Sequence, residues 1–483
     1  MTSAPDSSAS MRSIAPSYDQ YSLFVARHAN TAVVPAKRPS VTRVSHGRLT
    51  ELSLLLLAWV IVGSFYVLAS LGAQGHLPDR LGVFLTSIIA ITLALHLCIR
   101  LLAPNASQIL LPIATLLNGV GYVEIARWNP QAAGYQALWF LVSAGGLVAT
   151  LIVVRRVRDL DRYRYLTLLA AVGLLLMPLL PHIGQNINGA RLWVYLGPIS
   201  FQPVEIAKIL LVFFFASYFA ANRELLSTPT QRIGRRQIVP LKVLLPILFA
   251  WGFSMAILGA ENDIGFALLL FALFISMLWV TTGLKTYVVL GMGLFAGGMY
   301  VAARYFSQVH LRVTDWLNPW GACALQNIHQ TCQLAWAQYS LAAGGMTGTG
   351  LGLGQSGHIP YLTSDMIFAA VGEELGFLGI ILIVCLFAAF VGEGFSIAQR
   401  ATSDYVRLAA TGLTALMGFQ AFFIMAGVVR VLPFTGITLP FVAYGGSSLF
   451  ANYLIVALLL RISDENSLDR RGGEVVAVKF KKP

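Results

Sequence analysis

The sequence predicts an all-α polytopic membrane protein, and three observations carry that prediction. Of the 483 residues, 57% are hydrophobic and only 11% charged, against about a quarter charged in ordinary soluble domains. The apolar residues fall in runs of about 20, the length that crosses a bilayer, rather than in alternation. Basic residues cluster in short segments between those runs, as they do in cytoplasmic loops. A soluble multi-domain enzyme is thereby excluded, and the formal net charge of +12 reads as membrane sidedness rather than affinity for nucleic acid.

Residues 1–48 are rich in Ser, Ala, Pro and Arg and lack an apolar h-region, so they are expected as a disordered basic cytoplasmic tail and not a signal peptide. Twelve apolar stretches follow, beginning near Glu51, Leu81, Ser107, Tyr135, Tyr165, Pro203, Ile238, Ile264, Thr286, Met366, Arg407 and Phe441. The first two occupy 49–106, the other ten 107–462, and 463–483 form a carboxy-terminal tail. With the amino terminus inside, an even helix count returns that tail to the cytoplasm. The run Arg155-Arg156-Val157-Arg158 and the set Arg223, Arg232, Arg235 and Arg236 then fall on the same side.

Three segments are left on the outer side: Gly184 to Gln202, the turn Glu261 to Asp263, and a long loop over 306–365 between helices 9 and 10. The last carries Trp316, Trp320, Trp336, Tyr339 and Tyr361, so it is expected to fold back partly onto the membrane surface. Cys98 and Cys385 lie within apolar segments. Cys323 and Cys332 flank a polar stretch outside, where an oxidising compartment permits a disulfide between them.

Charged groups in membrane helices cost about 2.5 to 3.5 kcal/mol each, so each one is a functional candidate. Glu205 and Lys208, three apart, share a helix face: either they pair so that the segment can insert, or Lys208 meets an anionic substrate. Asp263 lies where one apolar run ends and the next begins. It either caps the new helix or, partly desolvated, acts as a proton acceptor. Asp365, Glu373 and Glu374 either help hold an ion or a glycan, or are buried hydrogen-bonded carboxylates that fix helix packing.

The glycine-rich run Gly344 to Gly354 lacks the Lys-Ser/Thr of a P-loop and follows no strand, so it does not make a nucleotide fold. Its backbone could still approach a pyrophosphate closely. Tyr444-Gly445-Gly446-Ser447-Ser448 suits either close helix packing or substrate contact. His182, His310, His329 and His358 have no ligand spacing, which argues against a structural zinc site.

Taken together, six motifs resemble those of the SEDS family of bacterial cell-envelope proteins, the RodA, FtsW and SpoVE type. They are Asn188-Gly189-Ala190-Arg191-Leu192-Trp193; Phe201-Gln202-Pro203-Val204-Glu205-Ile206-Ala207-Lys208; Glu261 to Gly265; Gly344 to Gly352; Asp365 to Phe368 with Gly372-Glu373-Glu374-Leu375-Gly376; and Leu432-Pro433-Phe434-Thr435-Gly436 leading to Tyr444 to Ser448. The family core has ten helices, so the two before Ser107 look like an addition, similar to those of actinobacterial RodA-type members. Ile424 stands where the family often has Asn, and Ser364 where it commonly has Thr.

The resemblance implies a peptidoglycan glycosyltransferase of the bacterial plasma membrane that polymerises lipid II into β-1,4 glycan during cell elongation. It places the family's essential aspartate on Asp263, with Arg191, Gln202, Glu205, Lys208, Asp365, Glu373, Ser447 and Ser448 as substrate-binding candidates. It also implies a class B penicillin-binding transpeptidase as partner. The sequence requires no cofactor and shows no metal cage, so a divalent Mg or Mn ion would be held by the substrate pyrophosphate. The alternatives are a lipid II flippase, a non-catalytic scaffold for the transpeptidase, and a division role in place of elongation.

Overall fold

Apolar runs in lipid have no water to pair their backbone groups, so each must close its hydrogen bonds internally as a helix. A computed structural model of the chain describes residues 49–480 apart from 79–80, 182, 188–189, 197–198, 228–230, 234–235, 239–240, 306 and 327–331. The tail expected over 1–48 lies outside the described residues.

Among the described residues, each of the twelve apolar stretches carries a long helix: α1 (Leu49–Gln74), α2 (Leu81–Leu102), α3 (Leu110–Trp128), α4 (Pro130–Val153), α5 (Arg164–Leu176), α6 (Val204–Ala221), α8 (Leu241–Ala260), α9 (Ile264–Thr282), α10 (Lys285–Tyr305), α14 (Ile367–Gln399), α15 (Asp404–Val428) and α16 (Gly446–Phe480). Ten are long and apolar enough to cross a membrane; α3 and α8 are the two outside that set. The chain is thus an all-α multi-pass membrane protein. Its other elements are the short helices α7 (Arg223–Ser227), α11 (Ser307–Leu317), α12 (Pro319–Gln326) and α13 (Gln333–Gly344) and two small sheets.

In one of those sheets, β1 (Gly184–Ile187), β2 (Ala190–Leu196) and β3 (Ile199–Phe201) form an antiparallel meander between α5 and α6. The other is the hairpin of β4 (Gln231–Ile233) and β5 (Arg236–Ile238).

In lipid a helix needs no amphipathic stripe, and position is set by packing and polar contacts. Helices α6, α15 and α16, which bear Lys208, Gln420 and Asn452, are the most buried, whereas α10 is exposed along nearly all its length. Helix α16 packs along α4, α14 along α15, α5 along α6, and α1 along α3. The 306–365 segment is largely helical, with α11, α12 and α13 in succession, and a Cys323–Cys332 disulfide joins α12 to the start of α13.

Helix α14 is broken at Gly376, whose φ of 63° is open to glycine at little cost. The glycine run supplies the partners that the break removes. Thr349 and Gly350 amides donate to the Glu373 and Glu374 carbonyls at 2.9 and 3.1 Å, and Phe377 and Leu378 amides donate to the Gly345 and Met346 carbonyls at 2.9 and 3.2 Å. The two carboxylates complete the clasp. Glu374 accepts the Gly352 amide at 2.8 Å and pairs with Arg127; Glu373 accepts the Gln355 amide at 2.9 Å and the Ser356 hydroxyl. These amides of the glycine run are therefore committed to protein partners, which corrects the expectation that they could approach a pyrophosphate.

A Cβ at Gly376 would meet the Gly348 amide and the Met346 carbonyl, whereas one at Gly392 in the same helix meets nothing within 4 Å. Gly376→Ala should cost about 1–3 kcal/mol and lower the thermal midpoint of the detergent-solubilised protein, while Gly392→Ala leaves it unchanged. Equal midpoints would contradict the clasp.

Candidate functional site

The α8–α9 junction reverses the chain in three residues. Asn262 takes the left-handed conformation (φ 62°), which Asn tolerates better than most residues. The Glu261 and Asp263 amides donate back to the Ile257 and Leu258 carbonyls, both at 2.9 Å. Asp263 thereby becomes the N-cap of α9, its Oδ1 accepting the Phe266 amide at 3.0 Å. Its Oδ2 is buried and has no hydrogen-bond partner among the described residues. The carboxylate thus does both things its position allowed: one oxygen caps the helix, the other is left without a proton donor.

Burial raises Asp263 to about 6, against the lowering pull of the Phe266 amide, Arg312 and Lys208 and with a further raising push from Glu205. Burial, reinforced by the Asp263 charge, pushes Glu261 to about 9, so at neutral pH Glu261 is the protonated member of the pair. Burial also raises Asp365, to about 7, opposed by Arg312 and by the Ser364 hydroxyl.

Arg312 acts by its charge on two of these carboxylates. Projecting from α11, its Nη1 donates to the Thr435 carbonyl at 2.8 Å, and its charge acts on both Asp263 and Asp365. Gly436, at φ 71°, leaves room beside it: a Cβ there would lie 3.5 Å from Arg312 Nη2 and 4.0 Å from Asp365 Oδ2. Helix α11 is anchored to the segment after α15, because Trp316 Nε1 donates to the Arg430 carbonyl at 3.1 Å and the Arg430 guanidinium lies over the Trp320 ring. Asp263 is only 6% exposed in this arrangement.

A second polar system runs into the bundle behind the carboxylate. Lys208 pairs with Glu205 and donates to Gln420 Oε1 at 2.6 Å. Gln420 Nε2 donates to the Thr438 carbonyl at 3.0 Å, and the Thr438 hydroxyl to Ser448 Oγ at 2.8 Å. The Gln202 amide reaches Ser447 Oγ at 3.0 Å.

The structure therefore brings five sequence candidates, Gln202, Glu205, Lys208, Ser447 and Ser448, into one buried neighbourhood next to Asp263, with Lys208 in an ion pair. Asp365 joins Asp263 through Arg312. Glu373 belongs to the clasp on α14 instead. Arg191 is exposed on strand β2 rather than in a loop, and its amide donates to the Glu261 carbonyl at 3.1 Å, which ties the sheet to the α8–α9 turn. Asn188 and Gly189 lie outside the described residues.

Sequence reasoning missed Arg312 and Gln420. A basic residue on the side of the membrane that is poor in them, within a loop of aromatic and apolar residues, was the signal for the first. Gln420, a lone amide in the middle of an apolar helix, was the signal for the second. Among the described residues no group of three or more His, Cys, Asp or Glu is placed to hold a metal ion.

A model of the FtsW/RodA/SpoVE family, described as cell cycle proteins, matches residues 123–468. The chain is 35% identical over 446 residues to the peptidoglycan glycosyltransferase RodA of Mycobacterium tuberculosis, covering 90% of this chain and 93% of that protein. It is 31% identical over 385 residues to the probable peptidoglycan glycosyltransferase FtsW of Burkholderia thailandensis, covering 76% and 80%.

Among solved structures, a chain from a peptidoglycan synthase complex that coordinates polymerization and crosslinking superposes with a TM-score of 0.60 at 24% identity, covering 75% of this chain and 98% of that one. The rod shape determining protein RodA of Thermus thermophilus gives 0.51 at 24% identity, covering 74% and 96%. In fold and across most of its length, the chain belongs to the FtsW/RodA/SpoVE family.

Proposed function

We propose that this protein is a peptidoglycan glycosyltransferase of the RodA type, which joins lipid II units into β-1,4 glycan at the outer face of the bacterial plasma membrane during elongation. The observation that carries this reading is Asp263: a buried carboxylate at the end of a membrane helix with one oxygen fixed by a backbone amide and the other unpartnered. Its relatives are named peptidoglycan glycosyltransferases, which supports this reading, and the RodA relatives favour elongation over division.

Both reactants are tethered to lipid, so an enzyme at the membrane face needs to position them rather than collect them from solution. Asp263 Oδ2 takes the proton of the acceptor sugar hydroxyl while that oxygen bonds to the donor's anomeric carbon. The bond from that carbon to the lipid diphosphate breaks, and its electron pair leaves with the diphosphate. Attack opposite the leaving group inverts the centre, as an α-linked donor and a β product require.

Lys208, held by Glu205 and Gln420, serves to keep an uncompensated charge out of the bundle and to tune Asp263. Arg191 and Asp365 are kept as candidates for substrate contact. A divalent Mg or Mn ion would arrive with the diphosphate, and no step is assigned to it. The charge pattern supports cytoplasmic termini and a 306–365 segment outside, and the membrane helix of a class B penicillin-binding transpeptidase would pack on the lipid face.

Purified protein given fluorescent lipid II tests the reading. Wild type should produce glycan ladders, and Asp263→Asn should slow their formation by about 10²- to 10⁴-fold, the usual contribution of a general base. Transbilayer movement without ladders would favour a flippase, and complementation of cells by Asp263→Asn would favour a scaffold.

The pH dependence has a definite sign. A base must be ionised, so the rate should rise tenfold per pH unit below about 6 and flatten above it. Glu261→Gln should leave both rate and profile within a few-fold of wild type, because the residue it replaces is already neutral there. A profile flat down to pH 4.5, or a dead Glu261→Gln that still folds, would contradict this assignment.

A further inference from the structure

We propose that Arg312 binds the diphosphate of the lipid donor, its guanidinium exchanging the Thr435 carbonyl for the phosphate oxygens beside Asp263 and Asp365. The inference rests on the glycosyltransferase reading above and names the cation that its leaving group requires. The two cations singled out from the sequence do not fill that role in this arrangement. Lys208 is buried and held by Glu205 and Gln420, and Arg191 is exposed on the outer strand.

Arg312 alone acts on both Asp263 and Asp365. Among the described residues it makes a single hydrogen bond, to the Thr435 carbonyl. A guanidinium has five donors in a planar fork that matches phosphate oxygens two at a time, so exchange of the carbonyl for diphosphate keeps its charge compensated. Gly436 lines the space the fork would use, because a side chain there would meet Arg312 and Asp365.

The closed arrangement gives the exchange a consequence. Asp263 is 6% exposed and its free oxygen is shielded, so no acceptor hydroxyl reaches it as it stands. Arg312 comes from α11, a short helix of the loop segment held by side-chain contacts to the Arg430 region. A diphosphate that drew the guanidinium off the Thr435 carbonyl would loosen this short helix, so that access to Asp263 follows binding of the donor. When the anomeric carbon–oxygen bond breaks, the departing diphosphate gains a negative charge, which is met by a donor already in place.

The test separates binding from turnover. Binding of a fluorescent polyprenyl diphosphate and of the matching monophosphate is measured on wild type, Arg312→Gln, Arg312→Lys and Asp263→Asn, alongside glycan formation from lipid II. Arg312→Gln should lose at least tenfold of the preference for diphosphate over monophosphate and about 10²- to 10³-fold in rate. Arg312→Lys, which keeps the charge but not the fork, should fall between Gln and wild type.

Asp263→Asn should lose the rate and keep the preference, which tells failure of this inference apart from failure of the glycosyltransferase reading. An unchanged preference in Arg312→Gln would overturn the inference, whatever happens to the rate. If Arg312→Gln does not fold, a wild-type preference and rate in Arg312→Lys would overturn it equally.

Discussion

One guanidinium whose charge acts on two buried carboxylates sets the terms for the rest of this molecule. Arg312 acts on Asp263 and Asp365 and is fixed by the Thr435 carbonyl, so segments from the α8–α9 turn, the long loop, the start of α14 and the stretch after α15 must converge. In an apolar body an isolated ionised group costs several kcal/mol and is removed either by pairing or by protonation. Both solutions occur here: Lys208 pairs with Glu205, whereas burial pushes Glu261 up to about 9, so that it holds a proton at neutral pH.

The charges divide into a closed system and an open one. In the closed system, Glu205, Lys208, Gln420, Thr438 and Ser448 hand hydrogen bonds along a chain that crosses three helices and a loop, and it holds the bundle in register. In the open system, among the described residues, Asp263 Oδ2 has no donor and Arg312 makes one hydrogen bond, leaving its other N–H groups to spare. Rigid polar partners behind a reactive group and spare valence in front of it are what preorganised catalysis needs.

Much of this was legible in the sequence. Apolar runs located the twelve helices because bilayer thickness fixes their length, and Asp263 stood out because a carboxylate at a helix start in lipid has few explanations. Boundaries were less legible. The last helix begins at Gly446 rather than near Phe441, since Pro440 and the left-handed Phe441 hold 431–445 in irregular backbone. The small meander of β1 to β3 escaped notice because its strands are too short for alternation to register.

What sequence could not show was long-range pairing. The glycine run looked like a ligand cradle, and only the break at Gly376 reveals what its amides are for. Glu373 and Glu374 could be ion ligands or packing carboxylates from sequence alone, and Arg127 and the loop amides are the partners that give them the packing role. Arg312 had no motif of its own, because one arginine on a short amphipathic helix is ordinary until the carboxylates it meets are placed around it.

The most direct test of the account is an experimental structure of the Asp263→Asn protein with lipid II bound. The account places the donor diphosphate within hydrogen-bond reach of the Arg312 guanidinium and the acceptor hydroxyl about 3 Å from residue 263. A diphosphate seated elsewhere, with Arg312 still on the Thr435 carbonyl and residue 263 still covered, would contradict it.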